Sequence, residues 1–130
     1  MGGQARIQFP GAIYHVFARG IEKRDIFLDR DDYTRFLEAL VMSRDFAQYE
    51  VCRYELMDNH HHLQIKTPNG NLVQAMHHLQ NTYVKYFNNA HKRVSPLFPG
   101  RYKSIVVADL GYVTIETWRS IDHAFILVQN

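Results

Sequence analysis

The stretch Val51-Cys52-Arg53-Tyr54-Glu55-Leu56-Met57-Asp58-Asn59-His60-His61-His62-Leu63-Gln64-Ile65-Lys66-Thr67 carries most of the folding information in this chain. Val51 to Met57 and His61 to Thr67 read as two strands, and the tight Asp58-Asn59 connection makes them a hairpin. Side chains on a strand alternate between faces, so His60, His62, Gln64 and Lys66 share one face. His61, Leu63 and Ile65 point to the other, which is apolar and therefore the core side. Imidazoles on neighbouring same-face positions lie roughly 6.5–7 Å apart at Cα, close enough to converge on one metal ion. Two ligands do not complete a site, however, and three consecutive histidines also suit the polar entrance of a solvated strand. Spacing alone leaves both readings open.

On the N-terminal side, Ile13 to Ala18 reads as a first strand between Pro10-Gly11 and Gly20. Asp29 to Asp32 supply N-cap candidates for a helix with Tyr33, Phe36, Leu37, Leu40 and Val41 on one face. On the C-terminal side, Pro68-Asn69-Gly70 breaks the histidine strand. Asn71 and Gln74 form an Asn-x-x-Gln capping box for a second helix, whose stripe runs Leu72, Ala75, Met76, Leu79, Tyr83, Tyr86/Phe87 and Ala90. Tyr102 to Ala108 reads as a fourth strand, and Leu110 to about Phe125 as a last helix. The order β-α-β-β-α-β-α predicts an α+β fold: a ferredoxin-like βαββαβ sandwich with an antiparallel sheet and an added C-terminal helix. Both central helices then cover one face of the sheet, and His60 and His62 occupy the other.

The 130 residues are expected to form a single domain, 1–130. A hydrophobic content of 46% and a charged content of 22% fit a soluble globular protein. No apolar run nears the length of a membrane span, and the start lacks a signal-peptide core, so the expected location is cytoplasmic. The single Cys52 excludes an internal disulfide, and its place in an apolar strand pattern predicts a buried thiol. The formal charge of +2 is too small to indicate a nucleic-acid partner. Its distribution is more informative. Acidic residues gather at 25–38, whereas 85–103 holds Lys85, Lys92, Arg93, Arg101 and Lys103 with no carboxylate, preceded by Tyr83 and interleaved with Tyr86, Phe87, Phe98 and Tyr102. Such a mixture suits a phosphate backbone with unstacked bases, and equally a solvated helix face followed by a basic loop.

Five blocks, in order, carry a family resemblance: Tyr14-His15-Val16…Arg19-Gly20; Met57-Asp58-Asn59-His60-His61-His62-Leu63; Thr67-Pro68-Asn69-Gly70-Asn71-Leu72; Tyr86-Phe87-Asn88; and Leu97-Phe98-Pro99-Gly100-Arg101-Tyr102-Lys103-Ser104. Together they resemble the REP-associated tyrosine transposases, members of the HUH single-strand transposases of bacterial insertion sequences. The resemblance implies that His60 and His62 hold a divalent Mg²⁺ or Mn²⁺ that polarises the scissile phosphate of single-stranded or hairpin DNA. It also implies attack by a tyrosine of the last helix, giving a 5′-phosphotyrosine link and a free 3′-hydroxyl. A cation there would neutralise charge that builds up in the transition state. Imidazoles alone do not select Mg²⁺ or Mn²⁺, so a further side chain and the substrate must supply oxygen. The family's middle motif residue is normally hydrophobic or aromatic, and here it is His61. For DNA contacts, Arg101 and Lys103 lead, followed by Arg19, Lys23 and Arg24, then Lys85 and Arg93. Relatives occur as monomers and as homodimers that share a site.

The C-terminal part, 113–130, diverges from that pattern. The family's last helix has the form Arg-Tyr-Ile-His-Leu-Asn-Pro, whereas this chain reads Trp118-Arg119-Ser120-Ile121-Asp122-His123-Ala124-Phe125. Aligned on Arg119 and Ile121, the tyrosine position is Ser120. Tyr112 stands eight residues earlier, about 12 Å along a helix axis, too far to substitute. Asp122 and His123 are candidates for a third metal ligand. Two functions follow: a metal-dependent single-strand DNA transposase, or a catalytically impaired remnant that only binds DNA. A metal hydrolase of small phosphodiesters would need an activated water and a general base, for which the sequence offers only the histidines.

Overall fold

The computed structural model describes residues 8–107, so the expected helix from Leu110 to Phe125, with Tyr112, Ser120, Asp122 and His123, lies outside the described residues. Within them the chain forms β1 (Ala12–Arg19), a 3₁₀ turn (Ile21–Lys23), α1 (Arg30–Ala47), β2 (Glu50–Met57), β3 (His60–Thr67), α2 (Leu72–Ala90) and β4 (Lys103–Val107). The four strands make one sheet in the order β2-β3-β1-β4, with every neighbouring pair antiparallel. This is the ferredoxin-like α+β arrangement that the element order predicts. The β3 strand starts one residue earlier than the hydrophobic pattern indicates, at His60.

The alternation on β3 holds. His61, Leu63 and Ile65 are buried on the helix side, where the His61 ring packs 4.9 Å from Phe36 and 6.2 Å from Phe98. Tyr14 and Val16 of β1 join them, and α1 and α2 close the layer with Phe36, Leu40, Leu79, Tyr83 and Phe87. The helices are also pinned to each other, since the buried Ser43 hydroxyl donates to the Ala75 carbonyl over 2.8 Å.

Three local expectations are corrected. Val41 is 45% exposed, because α1 turns Ala39, Leu40, Ser43 and Ala47 inward instead. Cys52 is exposed: a bulge shifts the β2–β3 register between Val51 and Arg53 and takes it out of the alternation. Asn71 sits at the N-cap of α2 but makes no side-chain cap bond. Its amide donates instead to the Ala47 carbonyl, 2.9 Å away, satisfying an open group at the end of α1.

Candidate functional site

The sheet face opposite the helices carries the candidate chemistry. The two-residue turn Asp58-Asn59 sets Met57 opposite His60 and Glu55 opposite His62. Glu55, His60 and His62 each place a ligand atom within 4.8 Å of the others. Two imidazole nitrogens and a carboxylate oxygen suit a divalent first-row ion and leave open positions for substrate oxygens. Glu55, on β2, is a candidate for the oxygen donor that imidazoles alone lack, whereas Asp122 and His123 lie outside the described residues. The signal was present, because a two-residue turn fixes which residues face each other.

Each motif histidine is oriented through its Nδ1. His60 Nδ1 is 2.8 Å from Asn59 Oδ1, and His62 Nδ1 is 2.9 Å from His15 Nε2. The remaining His62 nitrogen, Nε2, lies 3.6 Å from Glu55 Oε1. Bonds of this kind set the tautomer and aim of a ligating imidazole. Burial, reinforced by His15, His60 and Arg19, lowers the His62 pKa to about 4, so the ring is neutral and one nitrogen lone pair is available at pH 7. Burial also lowers His60, with Arg19 adding to the effect, and raises the Glu55 carboxyl. A buried carboxylate that resists ionisation is the group a bound cation would stabilise most.

Beside the histidines lies a basic cavity of ≈ 290 Å³ whose lining includes Phe17, Arg19, Lys23, Phe98, Arg101 and Lys103. The first- and second-ranked DNA-contact candidates, far apart in sequence, meet here because β1 and β4 are neighbours. Arg24 is exposed in the same loop but does not line the cavity. Lys85 and Arg93 are elsewhere. Lys85 lines a separate groove with Phe46, His77 and Asn81, on the helices. Arg93 lies over the Phe87 ring and donates to Ser95 Oγ over 2.7 Å.

The described tyrosines do not reach the ion face. Tyr14, Tyr49, Tyr83 and Tyr102 are buried, and Tyr54 pairs with Leu63 on the core side of the sheet. Tyr33 and Tyr86 donate to Asp58 and Asp32, and burial together with those bonds raises both phenols above their ordinary range. A second grouping, Asp29, Asp32 and His91, also has ligand-like spacing. Its central carboxylate already accepts from the Leu28 N–H, the Tyr86 hydroxyl and His91, which marks it as a structural tie.

A family model described as "Transposase IS200 like" matches residues 8–120. The chain belongs to the IS200-like transposase family. Among solved structures it is similar to a REP-associated tyrosine transposase bound to a REP hairpin, at 15% identity and a TM-score of 0.66, covering 98% of this chain and 72% of that one. It is also similar to a Deinococcus radiodurans R1 protein provisionally described as a transposase, at 14% identity and a TM-score of 0.63, covering 94% and 97%. At such identities these two likenesses speak for the fold. No curated protein matches the chain. No helix among the described residues is long and apolar enough to cross a membrane.

Proposed function

We propose that this member of the IS200-like family is a single-domain HUH transposase, which binds hairpin-marked single-stranded DNA and, with Mg²⁺ or Mn²⁺, cleaves and rejoins it through a tyrosine–DNA intermediate. The observation that carries this reading is the convergence of Glu55, His60 and His62 on one sheet face next to a basic cavity. The hairpin bound to the similar REP-associated transposase supports the choice of DNA. A divalent ion held by these three residues would neutralise charge on the scissile phosphate. Asn59 and His15 hold the two imidazoles in place for it. Arg19, Lys23, Arg101 and Lys103 draw the DNA backbone to the same end of the sheet, and Arg24, Lys85 and Arg93 add positive charge elsewhere. Homodimerisation is compatible with this reading.

A second reading is favoured by Ser120 at the family's tyrosine position: a DNA-binding remnant that keeps the ion and DNA sites but does not cleave. One experiment separates them. The protein is mixed with Mn²⁺ and labelled single-stranded hairpin DNA from its own genomic flanks, then resolved on a denaturing gel. A covalent protein–DNA band that disappears in His60→Ala supports the transposase. Hairpin binding without a band, and a band restored by Ser120→Tyr, supports the remnant. Absence of hairpin binding overturns both.

A further inference from the structure

Gln64 stands on the ion face of β3, two residues beyond His62, at a position where a polar side chain is expected to meet water. It is instead 1% exposed, and among the described residues neither its Oε1 nor its Nε2 has a hydrogen-bond partner. A buried amide in this state costs stability that an apolar side chain of similar size would not, so packing does not account for it.

The strand register shows what the amide can reach. Gln64 lies directly opposite His15 on β1 and Arg53 on β2, and Arg53 is exposed. On its other side His15 faces Ile105 of β4, which has no side-chain acceptor. Directly opposite residues have Cβ atoms about 4.5–5.5 Å apart, within reach of an amide and an imidazole.

Proton counting supplies the rest. His15 Nε2 lies 2.9 Å from His62 Nδ1, and His62 Nε2 lies 3.6 Å from Glu55 Oε1. A neutral imidazole has one N–H and one acceptor nitrogen, so the pair has two arrangements. In one, His62 donates through Nδ1 and keeps its Nε2 lone pair for an ion beside Glu55. His15 then accepts at Nε2 and carries its own proton on Nδ1. In the other, His15 donates through Nε2, and His62 turns an N–H towards Glu55, which excludes an ion. The first arrangement requires an acceptor for His15 Nδ1–H, and that nitrogen has no hydrogen-bond partner among the described residues. Gln64 offers an unpaired acceptor on the residue opposite. A half turn of its amide exchanges Oε1 and Nε2, so the oxygen can be presented without moving the strand.

We propose that Gln64 is a positioning residue for the ion site: its Oε1 accepts from His15 Nδ1–H and so holds His62 in the arrangement that leaves Nε2 open to an ion. This rests on the reading of Glu55, His60 and His62 as ligands and adds what selects the state in which His62 can ligate. Asn59 orients His60 in one step, whereas Gln64 acts on His62 in two, through His15. The bonds set tautomers and carry no proton to or from substrate.

The test uses the full chain, with Zn²⁺ as a diamagnetic probe and Mn²⁺ for affinity. Imidazole ¹⁵N–¹H correlation spectra of the Zn²⁺-loaded native chain should show His15 protonated at Nδ1. In Gln64→Leu that site should become a mixture of tautomers, and Mn²⁺ affinity should fall about tenfold. Gln64→Glu, which keeps an acceptor, should recover most of the affinity. Gln64→Leu should melt no lower than the native chain in EDTA, since it removes an unpaired amide. Adding Gln64→Leu to His15→Ala should cost no further Mn²⁺ affinity, because both act along one path. His15 protonated at Nε2 in the loaded native chain overturns the proposal without recourse to any variant. Unchanged Mn²⁺ affinity in Gln64→Leu, or additive losses in the double variant, also overturns it while leaving the ion site intact. A native chain that binds neither ion overturns the ion site itself and the proposal with it.

Discussion

His15 and His62 meet diagonally across β1 and β3, with His15 Nε2 2.9 Å from His62 Nδ1. For His62 to offer its Nε2 lone pair to an ion, the ring proton must reside on Nδ1 and be donated to His15. His15 is thus a positioning residue, and removal of such partners costs about 10- to 100-fold in metal affinity. His15→Ala should weaken Mn²⁺ binding to that extent, whereas His15→Gln, which keeps an acceptor, should recover part of it. Titration followed by the electron paramagnetic resonance of free Mn²⁺ measures both.

Glu55 is only 4% exposed, and its partner among the described residues is His62. Without an ion a buried carboxylate is a burden, and burial raises its pKa accordingly. Glu55→Gln should therefore melt no lower than the native chain in EDTA. Mn²⁺ should raise the melting temperature of the native chain and leave that of Glu55→Gln unmoved. An equal Mn²⁺ response in the two would place the oxygen ligand elsewhere.

The strands, both central helices and the shared face of His60 and His62 were legible because periods of two and three to four residues are local properties. Glu55 was legible in principle, since a two-residue turn fixes its place opposite His62. His15 was not. Its approach to His62 depends on β1 lying beside β3, a pairing set by the crossover through α1. The meeting of Arg19 and Lys23 with Arg101 and Lys103 likewise needs β1 beside β4, whereas Lys85, equally basic, is carried by α2 to another groove. Cys52 and Asn71 departed from local rules where a bulge and a neighbouring helix end offered the backbone something better.

His61 carries the clearest pH dependence. Burial, with smaller contributions from His62 and His60, lowers its pKa from 6.5 to about 3. Between those values the unfolded chain takes up a proton that the folded chain refuses, so stability rises with pH across that interval. The contribution is fully present above about pH 6.5 and is lost progressively as pH falls towards 3. The urea midpoint should drop from pH 7.5 to pH 5, in EDTA to remove any bound ion. His61→Leu, which suits the contacts with Phe36 and Phe98, should show a flatter profile.

Asp32 ties the start of α1 to the end of α2. It is fully buried and accepts from the Leu28 N–H at 2.8 Å, the Tyr86 hydroxyl at 2.6 Å and His91 Nε2 at 2.9 Å. Burial pushes its carboxyl up, but the bonds from Tyr86, Leu28 and His91 outweigh this and leave it below the ordinary value. Asp32→Ala would strand three donors at once, and breaking one side of a buried charged network costs about 3–5 kcal/mol. Asp32→Asn keeps an acceptor and should cost less. The site lies on the helix side of the sheet, away from Glu55, His60 and His62, so the Mn²⁺ affinity of the folded fraction should not change. Thermal unfolding and Mn²⁺ titration on the same samples test this. A loss of Mn²⁺ affinity in Asp32→Asn at a temperature where it remains folded would show that the helix layer and the ion face are coupled through the sheet.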